Sequence, residues 1–243
     1  MAETLRLFSA KAEQAIAEEM RKTGLTREQI LEQAAAEEPA ALPPPANAAR
    51  RRMVAAGVPE LHVRHLADGE PIECDALRLV REHMQRRGGF LVLSGGKGVR
   101  KTGSACWMLG QVEDGVYVEA LDLLDIAFHD RALFLRLRRA KYVVLDDIGA
   151  ETTASGGADA ALFQRELWKL WKGWYDSAAT VVVTCNLERV DFDGRKLDGS
   201  VDPSRGYGER IRERMDERGR FYTVGGESVR RGMRQHWLDD KEE

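Results

Sequence analysis

The stretch of sequence that decides the fold reads Leu91-Val92-Leu93-Ser94-Gly95-Gly96-Lys97-Gly98-Val99-Arg100-Lys101-Thr102-Gly103. A short apolar run leads into a glycine-rich turn, and a Lys-Thr pair begins a segment of helical character that continues from Ser104 to Leu109. This is the layout of a phosphate-binding loop, because glycines let successive backbone N–H groups turn toward phosphate oxygens, and the helix adds the positive end of its dipole. The pattern predicts that Lys101 reaches the β- and γ-phosphates and that Thr102 binds Mg²⁺.

The loop departs from the pattern G-x-x-x-x-G-K-[ST] at one position, since Arg100 stands where the pattern has its second glycine. A side chain there is expected to hinder the close approach of the backbone to phosphates. Taken alone, the stretch fits an ordinary strand-to-helix turn equally well. As a phosphate site, it comprises Gly95, Gly96, Lys97, Gly98, Val99, Arg100, Lys101, Thr102 and Gly103.

Bulk composition limits the class of protein. The chain has 243 residues, 43% of them hydrophobic, and a formal net charge of −3. This length suits one substantial domain with a smaller appendage. No apolar run approaches the roughly eighteen residues that a membrane helix needs, so no membrane partner is expected. The first residues have neither the basic start nor the apolar core of a secretory signal.

The cysteines indicate a reducing compartment. Cys74, Cys106 and Cys185 are far apart and odd in number, which fits reduced cytosolic thiols and predicts no structural zinc. The slightly negative net charge means that a nucleic-acid partner would need a local basic patch. The basic residues between Arg131 and Lys141, and those near Arg205 to Arg220, are candidates for it, although a solvated helix face explains the first group as well.

The chain divides into four segments by composition. Residues 1–38 have apolar positions at helical spacing and predict a small helical segment that binds a partner. Residues 39–52 are rich in Pro and Ala and predict a linker. Residues 53–238 form the predicted globular domain, and residues 239–243 are an acidic tail.

Within the globular domain, strands alternate with helices. The predicted helices cover 75–85, 121–139, 159–175 and 208–215. The predicted strands cover 90–94, 116–118, 142–149, 180–186 and 221–224, and residues 187–207 are predicted to be a polar loop. The aromatic stripe of the third helix, which contains Trp171 and Trp174, is predicted to be core packing, and His83 is predicted to be no ligand.

The second strong signal is Tyr142-Val143-Val144-Leu145-Asp146-Asp147-Ile148-Gly149. A continuous β-branched run indicates a strand buried on both faces, and hence a parallel sheet with helices on either side. Two carboxylates at its C-terminal end lie where open α/β sheets bind ligands. In a phosphate-loop protein, Asp146 is expected to hold Mg²⁺ through water and Asp147 to orient or deprotonate the attacking water.

Two further positions complete the candidate site. Asn186 ends the predicted strand 180–186 and is predicted to position the hydrolytic water beside Asp147; its alternative role is to cap the next turn. Arg210 and Arg214 share one face of the helix 208–215. One of them is a candidate arginine finger for the nucleotide of a neighbouring subunit, and a solvated, salt-bridged helix is the alternative.

These motifs together resemble the AAA+ ATPases of the bacterial replicative helicase-loader group, the DnaC-like and IstB-like proteins. The resemblance covers roughly residues 53–235, and its more specific parts are the run Asp146-Asp147-Ile148-Gly149-Ala150-Glu151 and the box Gly208-Glu209-Arg210-Ile211. It implies an α/β fold with a five-stranded parallel sheet and the phosphate-loop strand at its centre. It also implies ATP and Mg²⁺ as ligands.

The resemblance assigns roles by position. Asp146 with Thr102 is the magnesium site, Asp147 the catalytic acid, Asn186 the sensor, Arg214 the finger acting in trans with Arg210 in reserve, and Arg230 a second sensor near the phosphates. It further implies a ring or spiral of identical subunits, binding to a hexameric replicative helicase and to single-stranded DNA, and a cytoplasmic location in a bacterium or for a phage.

Alternatives remain at this stage. A transposition helper of the IstB type shares the ATPase core but acts on a transposase. A P-loop kinase would need an arginine-rich lid, for which the loop 188–207 is the one candidate. A DNA-binding adaptor could have lost turnover through Arg100. Arg100 allows either nucleotide binding with slow hydrolysis, which we favour, or a blocked loop.

Overall fold

The computed structural model describes residues 20–21, 24, 26, 46–67, 71–86, 88–149, 158–196, 198–202 and 206–225. Residues Met1–Pro43 form one compact unit and residues Pro44–Glu243 a second. In the first unit only residues 20, 21, 24 and 26 are described, and Met20 and Arg21 are helical. Nearly all of the predicted N-terminal segment, together with the acidic tail and Arg230, therefore lies outside the described residues.

The second unit alternates strands and helices along the chain. Helices α1 (Ala46–Ala55), α2 (Glu60–Ala67) and α3 (Asp75–Met84) come first. The elements that follow are β1 (Gly89–Ser94), α4 (Lys101–Gln111), β2 (Gly115–Glu119), a 3₁₀ turn (Ala120–Asp122), α5 (Leu123–His129), α6 (Arg131–Arg139), β3 (Tyr142–Ile148), α7 (Ala158–Asp176), β4 (Thr180–Cys185), α8 (Arg189–Asp193), α9 (Glu209–Arg218) and β5 (Gly219–Thr223). Helix α1 begins inside the segment 39–52 that was predicted to be linker.

The five strands form one parallel sheet in the order β2-β3-β4-β1-β5. The predicted α/β fold with a five-stranded parallel sheet is thus confirmed. The expectation that the phosphate-loop strand lies at the centre is wrong, because β4 occupies the middle and β1 lies between β4 and β5. All strands point the same way, so the loop after β1 and the polar ends of β3 and β4 meet at one edge of the sheet.

The sheet is covered on both faces. Phe90 and Val92 face a core formed mainly with α5, α6, α7 and α9, whereas Leu91 and Leu93 face a second core formed with α1, α3 and α4. Successive side chains of a strand point to opposite faces, so this division follows from the alternation along β1. Double coverage explains why β1, β3 and β4 are continuous apolar runs.

The aromatic residues of α7 are core packing, as predicted. The ring of Trp171 stacks on Phe90 with centroids 4.3 Å apart and planes 4° from parallel. Trp174 is fully buried, and its indole nitrogen donates a hydrogen bond of 2.7 Å to Leu137 O. These contacts join α7 to the sheet and to α6.

Two predicted segments differ from the structure. The single helix predicted for 121–139 is wrong, because the chain breaks at Asp130 (φ −124°, ψ 77°) into α5 and α6. Asp130 caps α6 by accepting a hydrogen bond of 2.9 Å from Leu133 N, the local side-chain bond that lets Asp compete with helix continuation. The predicted loop 187–207 contains α8 and an antiparallel bridge between Arg195 and Val201.

His83 lies buried under the sheet, with 2% of its surface exposed. Its Nε2 is 3.2 Å from Gly89 O and must carry the proton, since a carbonyl only accepts. Burial lowers the pKa of His83 to about 4; the Arg220 charge adds to the effect, and hydrogen bonds to backbone carbonyls oppose it. The folded protein therefore keeps this ring neutral at pH values where an unfolded chain protonates it.

We predict that the protein loses stability on acidification partly through His83. As the pH falls from 6.5 toward 4, only the unfolded chain gains this proton, so the free energy of unfolding should drop by about 1.4 kcal/mol per pH unit, to roughly 3 kcal/mol in all. His83→Gln cannot titrate and retains an amide donor. Urea unfolding between pH 7 and pH 4.5 should show a smaller acid loss for His83→Gln than for the wild type.

The matched control is His129→Gln, because His129 is exposed on α5 beside Asp125. Parallel pH curves for the wild type and His83→Gln would show that His83 titrates alike in the folded and unfolded states.

Candidate functional site

The loop between β1 and α4 has the backbone of an anion site. Gly95 and Gly98 have positive φ values of 141° and 90°. A Cβ on Gly95 would lie 2.3 Å from Val224 O, so no side chain fits at this position. Ser104 N donates to Arg100 O at 3.0 Å, and the N–H groups ahead of it stand at the N-terminus of α4, where orphan donors and the helix dipole favour a phosphate.

Arg100 is accommodated in this loop by backbone strain. It takes a left-handed conformation (φ 68°, ψ 19°) directly before α4, which for residues other than glycine costs about 1–2 kcal/mol. The loop thus keeps a conformation that a glycine at this position would adopt freely. The half-exposed guanidinium forms no hydrogen bond or ion pair with the other residues that the structure describes.

Lys101 is buried at the base of the loop, with 8% of its surface exposed. Its Nζ donates to Gly95 O at 2.7 Å, to Gly96 O at 2.9 Å and to Asn186 Oδ1 at 3.1 Å. An ammonium has three donors, so a phosphate oxygen must replace at least one of these acceptors. Because Lys101 Nζ bonds to the carbonyls of Gly95 and Gly96, the amine is already directed into the loop.

Asp146 is a buried carboxylate with hydroxyl donors from three elements. Its Oδ1 accepts from Thr102 Oγ1 at 2.8 Å and from Thr184 Oγ1 at 2.5 Å. Its Oδ2 accepts from the hydroxyl of Tyr117 at 2.9 Å. With 6% of the residue exposed, these bonds compensate the cost of removing the carboxylate from water.

The pKa values of two neighbours respond to this buried site. Burial, with the Asp146 charge and hydrogen bond as further causes, raises the pKa of Tyr117 well above its usual value. Burial likewise raises the pKa of Cys106, and the Asp146 charge adds to the effect. Tyr117 therefore stays protonated at neutral pH and remains a hydrogen-bond donor.

Asp147 has the opposite environment from Asp146. It is exposed, and its φ of 53° falls where the register of β3 against β4 shifts between Leu145 and Ile148. Its N–H donates to Thr184 Oγ1 at 3.0 Å, and its Oδ1 accepts from Asn186 Nδ2 at 3.2 Å. A bulge of this kind changes the direction of a side chain, and strained residues of this kind concentrate at functional sites.

One hydrogen-bonded network thus brings together the predicted residues Lys101, Thr102, Asp146, Asp147 and Asn186. Asn186 connects its two ends, because its oxygen accepts from Lys101 and its nitrogen donates to Asp147. An ammonium, a buried carboxylate and an exposed carboxylate with an amide lie along the carboxyl edge of β1, β3 and β4. This arrangement can hold a polyphosphate and orient a water molecule next to it.

The donor chemistry fits Mg²⁺. The Thr102 hydroxyl and the Asp146 carboxylate are adjacent hard oxygen ligands, and Mg²⁺ in phosphate-transfer sites takes one or two carboxylates, substrate phosphates and several waters. Within the described ranges, no group of three or more His, Cys, Asp or Glu side chains could hold a metal. Thr102 and Asp146 would supply two oxygens, and phosphate and water would supply the remaining ligands of such a cation.

The structure does not bring the predicted arginines into this network. The guanidinium of Arg214 lies 4.4 Å from the ring centroid of Tyr175 and 3.6 Å from the Glu217 carboxylate. Arg210 lies over the Trp168 ring at 5.5 Å. The role of Arg214 was predicted in trans, so it stays a prediction, and the role of Arg230 falls outside the described residues.

Sequence reasoning missed Tyr117 and Thr184 as parts of the site. Thr184 stands two residues before Asn186 in a buried apolar strand, and a polar residue there was a usable signal. Tyr117 gives no signal by itself, because its contact with Asp146 depends on the pairing of β2 with β3, in which Glu119 is opposite Asp146.

No protein-family model matches the chain, and no curated protein does either. Among solved structures, replication initiator DnaA bound to AMPPCP and single-stranded DNA matches with 16% identity and a TM-score of 0.47, over 71% of this chain and 53% of that one. A DnaC helicase loader matches with 16% identity and a TM-score of 0.48, over 65% of this chain and 94% of that one. A primosome component from Streptococcus pyogenes serotype M3 matches with 15% identity and a TM-score of 0.39, over 63% and 77%.

The chain therefore spans about half the length of the DnaA chain that it matches (53%). A DnaC helicase loader, the group that the motifs resemble, is among these similar structures. These are distant likenesses, and function must be inferred from the site itself. In the described part of the chain, no helix has the length and apolar character to cross a membrane.

We predict that Thr184→Val destabilises the fold by about 1–3 kcal/mol, because it removes a donor to buried Asp146 and the acceptor of the Asp147 N–H. The substitution preserves shape, so the loss should come from hydrogen bonding. Urea unfolding measures it. Thr180→Val is the matched control: Thr180 is buried on the same strand, and its hydroxyl bonds to none of the described residues, so its loss should cost little. Equal effects of the two substitutions would contradict the network.

Proposed function

We propose that the chain is an ATP-binding, Mg²⁺-dependent ATPase of the helicase-loader type that acts in DNA replication, with hydrolysis slowed by Arg100. The observation that carries the proposal is the single network joining Lys101 to Asn186 and Asp147, beside the pair Thr102 and Asp146. Each residue was selected from sequence for a role in phosphoryl transfer, and the roles require proximity.

Phosphate binding, metal binding and activation of water are assigned to different residues in this proposal. The Lys101 ammonium and the N–H groups at the start of α4 bind the phosphates. Thr102 and Asp146 hold Mg²⁺, which when bound neutralises phosphate charge and polarises the reacting phosphoryl group. Asp147, exposed and bonded to Asn186, orients the attacking water and accepts its proton.

The partners follow from the motif resemblance and complete the proposal. The protein engages a hexameric replicative helicase and single-stranded DNA in the cytoplasm, and ATP promotes its assembly into a ring or spiral in which Arg214 reaches the neighbouring nucleotide. All three cysteines are free thiols, which is compatible with that compartment. A transposase in place of the helicase remains the alternative partner, and a pull-down with both proteins distinguishes them.

We expect Lys101→Ala to weaken binding of a fluorescent ATP analogue by roughly 10- to 100-fold, since a charge-assisted hydrogen bond contributes about 1.5–3 kcal/mol. Anisotropy titration in Mg²⁺ measures the affinity. Lys141→Ala, directly before β3 at the end away from Asp146, removes the same charge and should leave the affinity unchanged. Phosphate release that rises with single-stranded DNA, without an added acceptor, excludes a kinase. Binding of DNA that ignores both ATP and Lys101→Ala would favour the non-hydrolysing adaptor.

Arg100→Gly should raise both stability and ATP turnover. Relief of the left-handed backbone contributes about 1 kcal/mol to the free energy of unfolding, and the loss of the side chain lets phosphates approach the loop. The matched control is Ala178→Gly, because Ala178 also has a positive φ, of 53°, but lies in the turn before β4. It should stabilise similarly without changing turnover. If neither the wild type nor Arg100→Gly binds nucleotide, the phosphate-loop assignment is wrong.

A further inference from the structure

Tyr117 contacts the candidate metal site from the edge strand β2. We propose that Tyr117 is a positioning residue that orients the Asp146 carboxylate for its divalent cation, an inference that rests on the proposed function. No motif of the sequence marks this residue, and its role follows from three features of its surroundings.

The first feature is how the donors are distributed over Asp146. Thr102 and Thr184 both donate to Oδ1, whereas Oδ2 accepts from Tyr117. In the described structure Tyr117 is the one hydroxyl on Oδ2. Without the Tyr117 hydroxyl, the buried Oδ2 has no described hydrogen-bond donor. Only the two threonine hydroxyls on Oδ1 then restrain rotation of the carboxylate about the Cβ–Cγ bond. The carboxylate then no longer presents a fixed oxygen next to the Thr102 hydroxyl.

The second feature is that Tyr117 is itself held in place. Its N–H donates to Ala56 O at 2.8 Å, just after α1, so the outer edge of β2 is covered at this position. On the inner side, β2 pairs with β3, with Tyr117 opposite Val144. The half-buried ring packs against the core formed by α1, α3 and α4. A hydroxyl on a ring fixed in this way can impose its direction on Asp146.

The third feature is a second acceptor for the same hydroxyl. Glu119 Oε1 lies 3.3 Å from the Tyr117 oxygen, and Glu119 is exposed. The hydroxyl has one proton, which favours the shorter bond to Asp146. When a cation draws on the charge of Asp146, the hydroxyl can donate to Glu119 instead and stays satisfied. Tyr117 therefore orients the carboxylate without opposing metal binding.

The test compares the wild type with Tyr117→Phe, which removes the hydroxyl and keeps the ring. Binding of the fluorescent ATP analogue is titrated over a range of free Mg²⁺ and again in EDTA. We expect Tyr117→Phe to need about tenfold more Mg²⁺ for the half-maximal gain in affinity, as is typical when a residue behind a metal ligand is lost. Its affinity in EDTA should equal that of the wild type.

Tyr142→Phe is the matched control. Tyr142 begins β3, at the opposite end from Asp146, and its hydroxyl bonds to no residue in the described segments; it should behave as wild type. A wild-type Mg²⁺ requirement in Tyr117→Phe overturns the inference. So does an equal loss of affinity in EDTA, which would indicate a general structural defect, with urea unfolding as the check. Failure of the wild-type protein to bind nucleotide would instead overturn the proposed function, and this inference with it.

Discussion

The site depends on keeping one carboxylate charged inside the protein. Asp146 is buried at the end of β3, and an ionised carboxylate is stable there only when its oxygens accept hydrogen bonds. Its donors come from α4, β2 and β4, which are 44, 29 and 38 residues distant in sequence. These bonds form only when β2, β3 and β4 pair in their native register. The functional edge and the sheet are therefore one cooperative structure, in which a weakened strand pairing also disturbs the site.

Two residues of the candidate site, Arg100 and Asp147, have strained backbones. Arg100 and Asp147 both have left-handed backbones, and each such residue costs of the order of 1–3 kcal/mol. The Asp147 conformation is held by Thr184 and Asn186, and it separates two neighbouring carboxylates into a buried and an exposed position. In a regular strand, Asp146 and Asp147 would also point to opposite faces of the sheet. The bulge in addition turns the exposed Asp147 side chain toward Asn186. The two adjacent aspartates thus have different environments, as the metal role proposed for Asp146 and the water role proposed for Asp147 require.

The sequence predicted the strands, the helices α3, α4, α7 and α9, and five members of the site, because these depend on local patterns: apolar runs, a glycine-rich turn, and polar residues at strand ends. It did not predict what depends on strand order or on distant partners. The central place of β4 cannot be read from the chain order. Tyr117 was missed because its hydroxyl meets Asp146 only through the pairing of β2 with β3. The break at Asp130 was missed because the apolar spacing continues through it, and the side-chain cap decides the outcome.

Arg214, the proposed arginine finger, makes only two contacts with the described residues of its own subunit. Its guanidinium lies over the Tyr175 ring and forms a half-exposed ion pair with Glu217, and solvent screens such surface contacts. Arg218 also lies over Tyr175, at 4.9 Å, so this ring would keep a cation if Arg214 moved away. The Nε of Arg214 is buried without a hydrogen-bond partner among the described residues, a cost that a phosphate oxygen would remove. Arg214 is thus held weakly within its own subunit, which is compatible with the proposal that it acts as a finger for a neighbouring subunit.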